Sequence, residues 1–214
     1  LKALGAYLYA TEVSSILQYW FNIDGTTFHP DYPKPLASMV FGGGYGYSTW
    51  WTEEPRQILG INLLPITPAS TYLAKLPKSW VENLNTFAIQ ERDRFEASGK
   101  SDDTPKDIWQ DIFASLRAVK SPGDAIAQWN PRGSVELGET RSRTYFWIQS
   151  LHEMGPADTS VWANVMTHSF FRDPSSGRKT YLAYNSGITP LDVRFSDGVE
   201  FTVPPKQIKR LTVP

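Results

Sequence analysis

RKTYLAYNSGITPLDVRFSDGVEFTV, residues 178–203, changes the hydrophobic period of the chain from helical to two. Thr180, Leu182 and Tyr184 alternate with Tyr181, Ala183 and Asn185; Val193 and Phe195 then lead to Asp197-Gly198, and Val199, Phe201 and Val203 follow. Alternation of this kind places successive side chains on opposite faces of a strand, and Asp-Gly between two such runs predicts a hairpin with a two-residue turn. DPSSG at 173–177 predicts a second strand link of the same kind. Because a lone hairpin pair is marginal in water, these strands are expected to pack on helices or to complete a larger sheet.

The sequence before about residue 160 is helical in period. PKSWVENLNTFAIQERDRFEASG predicts a helix opened by Pro77 and stopped by Gly99, with Trp80, Leu84, Phe87 and Phe95 on one face. Thr104-Pro105 offers an N-cap and a proline at the first helical position, leading to Ile108, Ile112, Leu116 and Val119 on one side. Ser121-Pro122 repeats the device, and RSRTYFWIQSLHEMG predicts a buried helix that ends at Gly155-Pro156. The short links between these segments imply antiparallel neighbours. Further upstream, Leu8, Glu12, Ile16 and Tyr19 also follow helical spacing. Glu12 thus shares a face with apolar residues, where an isolated charge is costly. It is either a structural carboxylate bonded to a neighbouring element or a residue opening into a polar cleft.

Composition narrows the partners. Lys and Arg number 21 against 22 Asp and Glu, a net charge of −1, so no basic stripe for nucleic acid is present and a neutral partner is expected. With no cysteine there is neither a disulfide framework nor a thiolate site, and the histidines 29, 152 and 168 lack ligand spacing, so no metal or cofactor is expected. No run is long enough to span a membrane, and the first segment, starting at Leu1 and carrying Glu12, does not read as a signal peptide. The opening reads as cut from a longer chain. Aromatic residues make up 14% of the sequence, more than a core of this size usually needs, which points some rings toward a ligand.

Residues 22–68 are dense in glycine and proline yet rich in apolar side chains, the composition of an ordered functional loop region rather than of disorder. Within it lies GGGYGYSTWW, 42–51. A phosphate loop is excluded, because the third glycine of the dinucleotide pattern falls on Thr49 and no lysine lies between Lys34 and Lys75. What remains is a tight turn into a core, or a surface on which Tyr45, Tyr47, Trp50 and Trp51 stack on the C–H face of a sugar. Glu53-Glu54 and Asp102-Asp103 read as a helix start or loop surface and a solvated linker, and no serine is visibly coupled to a histidine.

Four stretches together resemble the family 81 glycoside hydrolases, endo-β-1,3-glucanases: YLYATEVSSILQYW at 7–20, GYGYSTWWTEEPRQILGINLLPITPASTYLAKLP at 44–77, GETRSRTYFWIQSLHEMG at 138–155 and RKTYLAYNSGITPLDVRFSDG at 178–198. The resemblance implies a mainly α chain: residues 1–160 as the C-terminal part of an α/α-barrel (six-hairpin type) catalytic domain, then a short antiparallel β segment, 161–214, packed on the barrel or on an upstream β-sandwich. It implies a β-1,3-glucan (laminarin-type) substrate, an extracellular, secreted protein, and inverting hydrolysis. Inversion needs an acid and a base carboxyl roughly 6.5–9.5 Å apart. In the family these sit on Asp-Gly-His-Ser-Trp and Asn-Gln-Glu-Ser motifs, neither of which occurs here. Both normally precede the segment that matches 7–20, so the chain is expected to be inactive alone, a fragment lacking the N-terminal part of the same protein, with no catalytic residue assigned. Substrate binding falls to Glu12, Tyr45, Tyr47, Trp50 and Trp51. A non-catalytic glucan-binding module and a structural domain are the competing readings. One departure stands out: Gly138-Glu139-Thr140-Arg141-Ser142 occupies the place of a Gly-Asn-Ser-Arg-Thr pattern, a carboxylate replacing an amide.

Overall fold

The computed structural model of the chain describes residues 23, 59–60, 63, 66–67, 70–99, 109–130 and 141–214. A 3-10 turn, Ser70–Lys75, leads into four α-helices: α1 (Lys78–Ala97), α2 (Gln110–Ala118), α3 (Pro122–Gln128) and α4 (Arg141–Met154). Five strands follow: β1 (His168–Arg172), β2 (Lys179–Tyr184), β3 (Leu191–Arg194), β4 (Glu200–Val203) and β5 (Ile208–Val213).

Helix α1 buries Trp80, Val81, Leu84, Ala88 and Phe95, whose spacing of one, three, four and seven residues keeps them on one stripe. Its end is closed by Ser98, whose hydroxyl donates to the Phe95 carbonyl (2.7 Å), and by Gly99 at φ +66. Against this stripe pack Ile112, Phe113 and Leu116 of α2 and the turn residues Leu73 and Leu76, forming the main helical core. Pro122 opens α3 at its first turn as expected, but Ser121 makes no side-chain capping bond; its carbonyl instead accepts from the Ala125 N–H at 2.9 Å. The Thr104-Pro105 start expected for α2 lies outside the described residues.

Helix α4 departs from the expectation of a buried helix. Only Thr144, Ile148 and Leu151 are buried, at i, i+4, i+7, while Tyr145 and Phe146 are 44% and 68% exposed. An apolar-rich helix that packs on one side has room for one stripe only, so consecutive aromatic residues cannot both be covered.

In the β region, β1, β2 and β5 form a three-stranded antiparallel sheet in that order, and β3 pairs with β4 as a separate antiparallel hairpin. Adjacent residues point to opposite faces. Phe170, Tyr181 and Ala183 therefore face the hairpin, where they bury Val193, Phe195 and Val203. Phe171 and, partly, Leu182 face the helices and join Ala118, Ala125, Trp129, Ile148 and Leu151 in a third cluster. The sheet is thus a middle layer between helices and hairpin.

Both expected turns are present with longer loops than expected. Phe195 N–H donates to the Val199 carbonyl (2.8 Å) and Gly198 N–H to the Phe195 carbonyl (3.0 Å), which leaves a three-residue loop, Ser196-Asp197-Gly198, with Gly198 at φ +92. That is a turn plus a left-handed residue, the usual solution when Gly occupies the third loop position. In DPSSG, Asp173 N–H donates to the Arg178 carbonyl (2.9 Å), so four residues form the loop. Strand β5 was not indicated by the sequence pattern, because most of its side chains are exposed and Lys209 and Arg210 interrupt the alternation.

Candidate functional site

The residues expected to bind substrate, Glu12, Tyr45, Tyr47, Trp50 and Trp51, lie outside the described residues, as does the Glu139 departure. Among the described residues a cavity of about 310 Å³ lies between α1, α2 and α3. Two helical stripes form its walls: Asn85, Ala88, Ile89 and Arg92 from α1, and Gln110, Phe113, Ala114 and Arg117 from α2. Both sets repeat at i, i+3, i+4, i+7, so each side chain comes from one helix face. Ala125, Gln128 and Trp129 close the third side, and the alanines leave the space that larger residues would fill.

The cavity is apolar at its floor and polar at its rim. Ala88, Phe113, Ala125 and Trp129 are buried. At the rim Arg117 donates through Nη1 to Gln128 Oε1, and its Nη2 lies 3.7 Å from Asp124 Oδ2. Deeper, Gln110 is itself buried and donates through Nε2 to the Asn130 carbonyl at 3.2 Å. Rings below amide and guanidinium groups suit a neutral, hydroxylated ligand, which presents C–H faces and O–H edges. Among the described residues no carboxylate lines the cavity. It therefore supplies binding groups without an acid–base pair. The sequence reading missed this set; its only local signal was the pair Asn85 and Arg92 bordering the apolar face of α1.

Titratable groups elsewhere serve the fold. Lys120, half-buried just beyond α2, donates to the Ala74 carbonyl, and burial lowers its pKa against the opposing field of Asp158. The Tyr181 hydroxyl donates to Asp197 Oδ2 at 2.6 Å. Burial and then that carboxylate push the Tyr181 phenol well above its ordinary range. Burial alone would raise the Asp197 carboxyl, but bonds from the Tyr181 hydroxyl and Val199 N–H, with Lys179 at 3.6 Å, hold it below its usual value. His168 lies 3.3 Å through Nε2 from the Ala163 N–H and 2.7 Å through Nδ1 from the Val165 carbonyl, so both ring nitrogens are engaged by the segment just before β1. Among the described residues no three His, Cys, Asp or Glu side chains gather as metal ligands, and no helix is long and apolar enough to cross a membrane.

Comparison with known proteins shows where the chain has relatives. No protein-family model matches it. It is 35% identical over 212 residues to a glucan endo-1,3-beta-D-glucosidase of Thermobifida fusca, an alignment covering 97% of this chain and 26% of that protein. It is 37% identical over 205 residues to the glucan endo-1,3-beta-D-glucosidase of Acetivibrio thermocellus, covering 96% of this chain and 25% of the relative. Among solved structures it superposes on a glutamate-to-alanine mutant of a family 81 glycoside hydrolase from Clostridium thermocellum with a TM-score of 0.78 and 35% identity, over 98% of this chain and 28% of that one. The chain spans about a quarter of the length of the curated relatives it matches.

Proposed function

We propose, on the premise that this chain is homologous to the C-terminal portion of the family 81 glycoside hydrolases, that it is one part of an endo-β-1,3-glucanase and contributes glucan binding rather than bond cleavage. The observation that carries this reading is identity of 35% and 37% sustained over 97% and 96% of the chain, which leaves little of it unaccounted for by one family. In the proposed reaction a protonated carboxyl donates to the leaving glycosidic oxygen while a carboxylate on the opposite face of the ring takes a proton from the attacking water. Neither the Asp-Gly-His-Ser-Trp nor the Asn-Gln-Glu-Ser motif associated with those groups is in this sequence, so both are assigned to another part of the protein.

The chain's own share is to hold and orient the polysaccharide. Tyr45, Tyr47, Trp50 and Trp51 stack on pyranose C–H faces, and Glu12 accepts hydrogen bonds from sugar hydroxyls. The helices through about residue 160 are read as part of an α/α-barrel and the strands after it as a segment packed on that barrel or on an upstream β-sandwich. Extracellular action on laminarin-type glucan follows from the same family reading. The cavity, which among the described residues has no carboxylate in its lining, favours a second reading, a glucan-binding module with no catalytic role.

Thermal unfolding with laminari-hexaose and with a cello-oligosaccharide of equal length tests the substrate class. A rise in midpoint with the β-1,3 ligand alone is expected, since only a ligand bound to the folded state stabilises it. Equal midpoints with and without the β-1,3 oligomer would reject the reading.

A further inference from the structure

The segment just before β1 runs antiparallel to β3 and carries an unusual exposed face. Ala163 bridges Phe195, with Asn164 N–H donating to the Arg194 carbonyl (3.0 Å) and Ser196 N–H to the Trp162 carbonyl (2.8 Å). Strand alternation then divides the residues cleanly. Val161, Ala163, Val165, Val193 and Phe195 face the core of the β region. Trp162, Asn164, Asp192, Arg194, Glu200 and Thr202 face solvent. Trp162 is 63% exposed, a large indole left in water.

The backbone that carries the ring, and the side chains beside it, are held in place. Trp162 N–H donates to Ser196 Oγ (3.1 Å), so its backbone is bonded to Ser196 through both N–H and C=O. Asn164 is bonded through its side-chain oxygen to the Arg194 N–H (2.8 Å) and through Nδ2 to the Asp192 carbonyl (3.2 Å). Arg194 Nε lies 3.3 Å from Glu200 Oε1, and Thr202 donates to Asp192 Oδ1 at 2.7 Å. Asn164 is thus fixed by the backbone of the neighbouring strand, and Arg194–Glu200 and Thr202–Asp192 are fixed by side-chain pairing, while the exposed groups remain open to solvent. Preorganisation of this kind removes much of the entropy cost of binding.

We propose that this face is a second β-glucan-binding surface, in which the Trp162 indole stacks on the C–H face of a pyranose ring and Asn164, Arg194 and Glu200 bond its hydroxyl edge. That the sugar belongs to a β-1,3-glucan rests on the functional reading above; the surface itself rests on the geometry here. A protein partner suits the face poorly. A stable protein interface buries about 800 Å² per partner around a dry aromatic or apolar centre, whereas this indole shares its face with the Arg194–Glu200 ion pair and the Asp192 carboxylate, which are costly to desolvate. A hydroxylated ring exchanges water bonds for sugar bonds at those same groups and covers only the indole.

The test uses the whole 214-residue chain, nitrogen-15 labelled, with the Trp162 indole N–H signal identified by its loss in Trp162→Phe. Titration with laminari-hexaose is expected to shift that signal saturably. Retention on insoluble β-1,3-glucan is expected to weaken roughly 3- to 10-fold in Trp162→Ala, the size of one ring contact, and much less in Trp162→Phe. An unchanged thermal midpoint for Trp162→Ala separates lost binding from lost folding. Shifts at other residues without one at Trp162 would overturn the surface while leaving the glucanase reading intact. No shift anywhere would overturn both. A shift of the indole signal with protein concentration alone would assign the face to self-association and reject the sugar.

Discussion

Gly155 and Gly198 both have φ near +90, yet their surroundings differ. A Cβ on Gly155 would sit 2.5 Å from the Arg172 carbonyl carbon and the Asp173 nitrogen, backbone atoms at the end of β1 that cannot swing aside. At Gly198 no atom lies within 4 Å. Gly198→Ala is therefore expected to cost about 1 kcal/mol, the left-handed penalty alone, and Gly155→Ala roughly 3 kcal/mol, with the clash added; urea unfolding of the two variants checks the order. Nearby, the Tyr181–Asp197 pair makes stability depend on pH in a defined direction. The Asp197 pKa is depressed in the fold, so its contribution is present above the unfolded carboxyl value of about 3.9 and is lost as pH falls through the folded one. The Tyr181 pKa is raised, so its contribution is present below the unfolded phenol value of about 10 and falls away at higher pH. Tyr181→Phe keeps the ring packing and removes the bond, an expected loss of about 1–2 kcal/mol near neutral pH. Denaturant midpoints should show that gap narrowing at both pH 3 and pH 11, and a gap constant across this range would assign the loss to packing instead.

Among the elements, β1 is the joint of the molecule because its two phenylalanines divide between layers. Phe170 lies in the core under the hairpin and Phe171 in the cluster with Ala118, Ile148 and Leu151 of the helices. Phe171→Ala is expected to cost about 3–5 kcal/mol and to raise amide exchange in β1 and β2 ahead of α1, whose core does not include this ring. Uniform acceleration across α1 and the strands would show instead that helices and sheet unfold as one unit. Much of this organisation was legible from local signals. Pro77 and Gly99 bracket α1, Gly155 ends α4, and the alternation around Tyr181 and Val193 marks real strands. The failures occurred where neighbours rather than propensity decide. Strand β5 has largely exposed side chains, so burial imprints no period on it; what places it is its antiparallel register with β2, Lys179 opposite Val213 through Tyr184 opposite Ile208. Loop lengths were misjudged for a related reason: Asp197-Gly198 announces a turn, but the bond from Phe195 to Val199 sets where the ladder stops.

For the whole molecule, family is more legible than site. Four separated stretches carry the resemblance, and the sustained identity to two glucan endo-1,3-beta-D-glucosidases agrees with them. The cavity between α1, α2 and α3 left almost no local trace, since Arg92, Gln110 and Trp129 become a lining only when three helices are brought together. Its chemistry nonetheless fits what the sequence withholds. Binding groups are present, the two carboxylate motifs are absent, and a chain of this kind should recognise glucan without cutting it. Incubation of the 214-residue chain with laminarin is expected to release no oligosaccharide, while laminari-hexaose at about 100 times its Kd should add roughly 2.7 kcal/mol to folding stability. Sustained release of shorter glucans would require an acid–base pair within these residues and would reject the assignment of cleavage to another part of the protein. Stabilisation without release is the combination that only a binding portion of a glucanase, or a binding module derived from one, would give. Arg117→Ala then asks whether the cavity takes part: weaker hexaose binding with the ligand-free midpoint preserved assigns it a role, and unchanged binding removes it.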